Sequence, residues 1–147
     1  MQQNLQDFLH QSIPLTKDMG LIMDEYTGIT LKTKAPLANN INDKGSVFGG
    51  SSSALMIISA WSLIRIKCEE YNINADIVIH KNETIWHKAL YSELRIETEF
   101  KKEYNFEKIK KIIERKRHQR IDCLIYLKDK DGNIFSTMTA KYVIIPK

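Results

Sequence analysis

Apolar residues recur along the chain with a helical period in two places. Leu5, Phe8 and Leu9 fall on one face of a short helix, predicted over 4–12 and ended by Pro14. The segment 51–71 is apolar on nearly all sides. It therefore predicts one long, buried helix, with serines capping its start.

Strand patterns flank the long helix on both sides. Strands are predicted over 20–26 and 29–34, within 75–89, over 93–100, and in a closing hairpin that turns at 130–133, while a short basic helix is predicted over 106–116. One helix against one antiparallel sheet is an α+β arrangement. A single buried helix wrapped by a meandering sheet is the hotdog architecture, which by itself gives no function.

Composition is that of one globular domain, predicted over 1–147. The chain is 43% hydrophobic and 27% charged, and its longest apolar stretch is too short and too polar to span a bilayer. The N-terminus lacks the pattern of a signal peptide, so a cytoplasmic protein is expected. Cys68 and Cys123 form no CxxC motif and are expected to be reduced, buried thiols.

Positive charge is concentrated in the segment 101–120, which holds nine Lys or Arg against three Glu in a chain of net charge +4. Such a run is either a solvated helix face or a docking surface for an anionic partner. The candidates are the phosphates of CoA, an acidic carrier protein, or nucleic acid. Nucleic acid is not expected, because the sequence holds no recognition motif and no aromatics at stacking spacing.

The loop 36–53 is rich in Asn, Gly and Ser and leads directly into the long helix. It matches neither the Walker pattern nor the GxGxxG fingerprint, so nucleotide hydrolysis is not expected. Gly49 and Gly50 lie at the helix start, where backbone N–H groups have no intrahelical partner. These amides form a candidate oxyanion hole. The alternative is that the glycines only allow close packing against the sheet.

Other polar residues offer less specific chemistry. Asn39, Asn40 and Asn42 are turn formers in one interpretation, but the Asn42 amide could also orient a thioester carbonyl or a carboxylate. The serines at 51–53 lack the nucleophile elbow, and the four histidines show no metal-ligand spacing. No metal or cofactor is therefore expected.

Several segments together resemble the YiiD C-terminal domain family of thioesterase-like and malonyl-carrier-protein decarboxylase domains. They are FLHQSIPLTKDMG, PLANNINDKGSVFGGSSS, the helix around Trp61, ADIVIHKNE and AKYVIIP. The resemblance implies a hotdog fold, a substrate whose acyl group is carried on CoA or on acyl carrier protein (ACP), and a homodimer or dimer of dimers with sites between subunits.

The sequence departs from the broader hotdog thioesterases at two positions. Phe48 stands where those enzymes often have His before the glycine pair, and Ile57 stands where they place an acid two turns along the helix. Glu69, 19 residues past Gly50, is about 28 Å from it along the helix and cannot serve the same site. Asp43, or Glu83 from a partner subunit, remains as a candidate base for activating water.

This departure favours decarboxylation, which needs a polarised thioester carbonyl but no activated water. The resemblance assigns the key role to Asn42, with Asn40 as second choice. The amides of Gly49 and Gly50 would polarise the carbonyl. Substrate contacts are predicted at Phe48, Ser51 and Ile57, and carrier docking at Lys110 and Lys111, with Lys44 as a further candidate. The alternatives are an acyl-CoA or acyl-ACP thioesterase and a non-catalytic acyl-binding module.

Overall fold

A computed structural model describes residues 2–147, with side chains from residue 4 onward. Met1, part of the domain predicted over 1–147, lies outside the described residues. The helices are α1 (Gln2–Ser12), α2 (Pro14–Asp18), α3 (Gly49–Glu70) and α4 (Phe106–Glu114), with a 3-10 turn at Leu37–Asn39. The strands are β1 (Ile22–Tyr26), β2 (Thr30–Ala35), β3 (Ala75–Trp86), β4 (Leu94–Phe100), β5 (Gln119–Lys128) and β6 (Ile134–Pro146).

The six strands form one antiparallel sheet in the order β1-β2-β4-β5-β6-β3. The long helix α3 packs against this sheet and touches five of its strands, β4 most extensively. Its buried residues are Ser52, Leu55, Met56, Ser59, Ala60, Ser62, Leu63, Ile64, Ile66 and Cys68. A single helix held by one antiparallel sheet is the hotdog fold, so the predicted α+β class and architecture are confirmed.

The start of α3 differs from the prediction of serine caps. The helix begins at Gly49, and its N-cap is Phe48, whose side chain cannot accept a hydrogen bond. Ser51 and Ser52 lie inside the first turn, and the Ser52 hydroxyl donates to the Gly49 carbonyl instead, at 3.1 Å. The predicted capping is wrong because the glycines, which carry no capping group, already have helical backbone angles.

Pro14 also differs from the prediction, since it does more than end the first helix. α1 ends at Ser12, and Pro14 is the first residue of α2. A proline fits this position because its missing N–H would have no partner there anyway.

The two predicted tight turns are confirmed, and both need glycine. Gly28 between β1 and β2 has φ +99°, and Gly132 between β5 and β6 has φ +83°. Asp129 stabilises the second turn, because its carboxylate accepts hydrogen bonds from the backbone N–H of Asp131 and of Asn133. These turns set the register of the two hairpins.

The two edges of the sheet are not equivalent. At the β1 edge, α1 supplies side chains to the backbone: Gln6 Oε1 accepts from Met23 N at 2.8 Å, and His10 Nε2 lies 2.9 Å from Leu21 O. At the opposite edge, β3 is exposed over most of its length. Its exposed apolar side chains are Val78, Ile79, Ile85 and Trp86. The exposed polar residues 80–83 lie between these two apolar pairs, so β3 is an open edge whose two ends carry apolar surface for strand pairing.

Both cysteines are free and buried, as predicted. Burial raises the pKa of the Cys68 thiol to about 12, and burial likewise raises the pKa of the Cys123 thiol. The thiols therefore remain protonated at neutral pH and pack as small hydrophobic groups. None of the helices within residues 2–147 is long and apolar enough to cross a bilayer.

Candidate active site at the start of α3

Three backbone amides are free at the start of α3. The first intrahelical hydrogen bond runs from Ser52 N to Phe48 O, at 3.1 Å. The N–H groups of Gly49, Gly50 and Ser51 precede it and find no acceptor among the described residues. Gly50 is exposed, whereas Gly49 and Ser51 are half-buried. The helix dipole adds positive potential at the same place, so these groups can stabilise a developing oxyanion.

Two aromatic rings lie on the glycine pair. A Cβ atom added to Gly50 would be 2.4 Å from the Phe48 ring, and one added to Gly49 would be 3.4 Å from Trp86 Nε1. Both rings are themselves half-exposed, at 55% for Phe48 and 53% for Trp86. The two rings therefore flank the glycines and would contact a ligand bound at the helix start.

Asn42 lies in a turn of the preceding loop. Its Oδ1 accepts hydrogen bonds from Lys44 N at 2.9 Å and from Ser46 N at 3.1 Å. Its Nδ2 donates to Ser46 Oγ at 3.0 Å, which leaves one N–H for another acceptor. Two residues of extended chain, about 7 Å, separate this turn from Phe48. Asn42 thus combines a structural role in the loop with one remaining donor.

Asn40 lies closer to the helix start and is almost completely buried, at 1% exposure. Its carbonyl oxygen accepts from Phe48 N at 2.7 Å, which ties the loop to the N-cap of α3. Its Nδ2 donates to the carbonyls of Met19 and Pro36, both at 2.8 Å. Its Oδ1 is buried without a hydrogen-bond partner. A buried acceptor of this kind costs free energy unless a donor reaches it.

Carboxylates are absent from the first turns of α3. Asp43 is highly exposed and pairs with the equally exposed Lys44 at 3.1 Å. Ile57 occupies the position two turns along, half-buried, and its carbonyl accepts from the buried Tyr142 hydroxyl at 2.6 Å. Glu69 pairs with Arg65 near the far end of the helix. No described residue on α3 is therefore placed to activate water at Gly49 and Gly50.

The basic helix lies at the other end of α3. Phe106 begins α4 and stacks on Tyr71, the C-cap of α3, with ring centroids 5.7 Å apart. The 22 residues of α3 span about 33 Å. Within one chain, Lys110 and Lys111 are therefore far from the helix start. Lys44 remains near it, in the 42–46 turn.

The sequence does not single out Trp86, and it offers Ser52 only as a helix cap. Trp86 ends β3, 34 residues beyond Ser52, and its Nε1 donates to Ser52 Oγ at 3.2 Å. Nothing in the local sequence pattern indicates this contact, because it depends on where the end of β3 crosses α3. The one available signal is a tryptophan within the strand segment predicted at 75–89.

The six-stranded sheet around α3 defines the class of the molecule, a hotdog protein. The chain belongs to the family described as "Putative thioesterase (yiiD_Cterm)", whose model matches residues 2–146.

Solved structures show the same fold. A Shewanella oneidensis protein described as a "putative thioesterase" aligns with TM-score 0.89 and 23% identity over 99% of this chain and 97% of that one. A Chlorobaculum tepidum protein of unknown function aligns with TM-score 0.89 and 25% identity over 99% and 94%. A thioesterase from Haemophilus influenzae aligns with TM-score 0.80 and 11% identity over 99% and 91%.

Proposed function

We propose that this protein decarboxylates malonyl-ACP to acetyl-ACP and carbon dioxide, a reaction that supplies primer for fatty acid synthesis. The observation that carries the proposal is the combination of free amides at Gly49 and Gly50 with no acid on the neighbouring turns of α3. The amides suit a reaction that builds negative charge on a carbonyl oxygen. The missing acid disfavours a reaction that must first activate water.

In the proposed reaction, the bond between the malonyl carboxylate carbon and the α-carbon breaks. Carbon dioxide leaves, and the electron pair moves into the thioester to form an enolate. The N–H groups of Gly49 and Gly50 donate to the enolate oxygen, and a proton from water then reaches the α-carbon. Phe48, Ser51 and Ile57 would surround the acyl group, and an apolar surrounding favours loss of the carboxylate charge.

Asn42 and Asn40 have separate parts in this proposal. Asn42 would use its one remaining Nδ2 hydrogen to hold the malonyl carboxylate out of the carbonyl plane, while its Oδ1 keeps the 42–46 turn closed. Asn40 would position the helix start, because its carbonyl oxygen accepts from Phe48 N.

A thioesterase is the second candidate, favoured by the description of the family and by the fold of the Haemophilus influenzae enzyme. Hydrolysis would need a base, and the candidates are Asp43 of the same chain and Glu83 from a partner subunit. Asp43 is already paired with Lys44. Glu83 lies exposed on the open strand β3, where an assembled partner could place it near a second site.

The deciding experiment is incubation of the purified protein with malonyl-ACP, followed by mass spectrometry of the carrier. Acetyl-ACP is the expected product. Free carrier thiol would instead identify a thioesterase, and tight binding without turnover an acyl-binding module.

Asn42→Asp is the variant that tests the assigned role of this side chain. An aspartate retains the acceptor for Lys44 N and Ser46 N but loses the Nδ2 donor, so the turn should persist. We expect the turnover number to fall at least about 10-fold with little change in the thermal midpoint. Full activity in this variant would remove Asn42 from the chemistry.

Carrier docking is proposed for the basic segment 101–120. None of its nine cations forms an ion pair with an Asp or Glu side chain in the part of the chain that the structure describes. Lys110 and Lys111 lie on α4, which is anchored by the buried Phe106, Ile109 and Ile113. Because α4 packs at the C-terminal end of α3, a helix about 33 Å long, a carrier docked there would serve the site of another subunit.

Charge reversal tests this docking surface. For the double variant Lys110→Glu and Lys111→Glu we expect the KM for malonyl-ACP to rise about 10-fold, because the attraction to the acidic carrier is lost. The KM for malonyl-CoA should not change. Lys130→Glu, on an exposed hairpin turn, is the matched control. Equal KM values for the double variant and the control would refute docking at α4.

A homodimer is proposed through the open edge of β3. The other edge of the sheet is already covered by side chains of α1, whereas β3 leaves four large apolar side chains exposed along 12 residues. Pairing of two β3 strands would cover these side chains and bring a second subunit next to Trp86 and Phe48, which now leave the site open to solvent.

A further inference from the structure

Trp86 contacts the candidate active site directly, although it belongs to the sheet. Its indole lies against Gly49, with Nε1 and Cε2 at 3.4 and 3.7 Å from the position of an added Cβ. The ring is 53% exposed, so only part of its apolar surface is buried by this contact. Packing alone therefore gives little reason for the ring to lie here.

The polar edge of the indole explains its position better. Trp86 Nε1 donates to Ser52 Oγ at 3.2 Å, and Ser52 Oγ donates to the Gly49 carbonyl at 3.1 Å. Ser52 is almost completely buried, at 1% exposure. A continuous chain of hydrogen bonds thus connects the end of β3 to the first residue of α3, with the serine hydroxyl acting as both acceptor and donor.

This chain of hydrogen bonds ends on the peptide unit that carries the free Gly50 amide. The Gly49 carbonyl belongs to the same peptide plane as the Gly50 N–H, so holding one fixes the direction of the other. A glycine pair at a helix end is otherwise free to fray, because glycine has the largest backbone freedom of any residue. Oxyanion donors are effective only when they are already oriented before charge develops.

We propose that Trp86 and Ser52 are positioning residues that orient the Gly50 amide for the oxyanion of an acyl thioester. The proposal rests on the proposed use of this amide, and it applies equally to decarboxylation and to hydrolysis, because both place charge on the thioester oxygen. It also connects the open edge strand to the site, since Trp86 is the last residue of β3.

Trp86→Phe tests the pair, because phenylalanine keeps an aromatic ring on Gly49 and removes only the N–H donor. Ser52→Ala removes the central hydroxyl. Trp61→Phe is the matched control: Trp61 lies on the same helix, and its Nε1 donates to Ile77 O at 2.9 Å, away from the helix start. Trp86→Phe and Trp61→Phe each lose one neutral hydrogen bond, so these two variants should have similar costs in stability, whereas Ser52→Ala loses two.

We expect Trp86→Phe and Ser52→Ala each to lower kcat about 3- to 10-fold with KM unchanged, and Trp61→Phe to leave kcat unchanged. The double variant of Trp86 and Ser52 should have a kcat no lower than that of the less active single variant, because both residues belong to one hydrogen-bond chain. A change in KM alone would overturn the proposal and make Trp86 a wall of the binding site. So would a kcat for Trp86→Phe equal to that of the control.

Amide hydrogen exchange provides a readout that does not depend on turnover. Exchange at Ser52 N, the first bonded amide of α3, should quicken about 3- to 10-fold in Trp86→Phe and stay unchanged in Trp61→Phe. This result would uphold the positioning role even if the native protein showed no decarboxylase activity. Unchanged exchange at Ser52 would overturn the role even if acetyl-ACP were formed.

Discussion

Replacing Gly50 with alanine is expected to lower the turnover number about 100- to 1000-fold while leaving the protein folded. The added methyl group would lie 2.4 Å from the Phe48 ring, so the ring must move and the methyl must take the space beside the free amides. The Gly50 N–H is retained, but the methyl group obstructs the approach of an oxygen to it, and loss of one oxyanion donor has a cost of this size in other enzymes. Alanine is otherwise favourable here, since Gly50 has no positive φ and lies inside a helix.

Steady-state kinetics and thermal unfolding together check this prediction. The thermal midpoint of Gly50→Ala should equal or exceed that of the native protein, because the displaced Phe48 ring is already half-exposed. Ser53→Ala, in the same helical turn and half-buried, is the control and should keep native turnover. An active Gly50→Ala enzyme would mean that the oxyanion is stabilised elsewhere.

Replacing Val78 with lysine is expected to convert the proposed dimer into a monomer. Val78 is 42% exposed on the open edge of β3, so the single chain should tolerate the lysine. A lysine facing a paired strand would have to be buried without a partner, and lysine on an edge strand is a common barrier to pairing. The dimer dissociation constant should rise at least about 100-fold. Turnover should also fall, because the second subunit would no longer lie next to Trp86 and Phe48 at the site.

Light scattering after size exclusion measures the mass directly. The native chain should elute at twice the protomer mass of 17.1 kDa, and Val78→Lys at the protomer mass itself. Ile29→Lys is the matched control, since Ile29 is 72% exposed on the turn between β1 and β2, away from the β3 edge. A native protein that remained monomeric at micromolar concentration would contradict assembly through β3.

The elements of the fold could be predicted closely from the pattern of residues. The nearly all-apolar α3, the alternating strands and the glycine turns at Gly28 and Gly132 carry local signals, and all three match the structure. The capping of α3 could not be predicted, because serines near a helix start usually cap it. Here the helix begins two residues earlier, at Gly49, directly after Phe48, whose N–H donates to the Asn40 carbonyl.

The candidate site could be predicted only in part. Gly49 and Gly50 follow from the helix start, which is a local feature. The role of Asn42 does not follow from the sequence, because an Asn side chain can close a turn or bind a ligand. Only the structure shows that its Oδ1 is occupied by Lys44 N and Ser46 N in the turn. The distance of Lys110 from the helix start could not be predicted either, because it depends on the packing of α4 at the far end of the 22-residue α3.

By itself, the sequence determined the hydrophobic pattern, the glycine positions and the absence of an acid at position 57, because these depend on residue type and short-range spacing. Only the tertiary structure decided which distant groups meet at the helix start. Trp86 reaches Ser52 across 34 residues because β3 pairs with β6 and ends beside α3, and side-chain hydrogen bonds of this range leave no periodic trace in a sequence. The exposure of the β3 edge was decided in the same way, since strand order follows from long-range pairing.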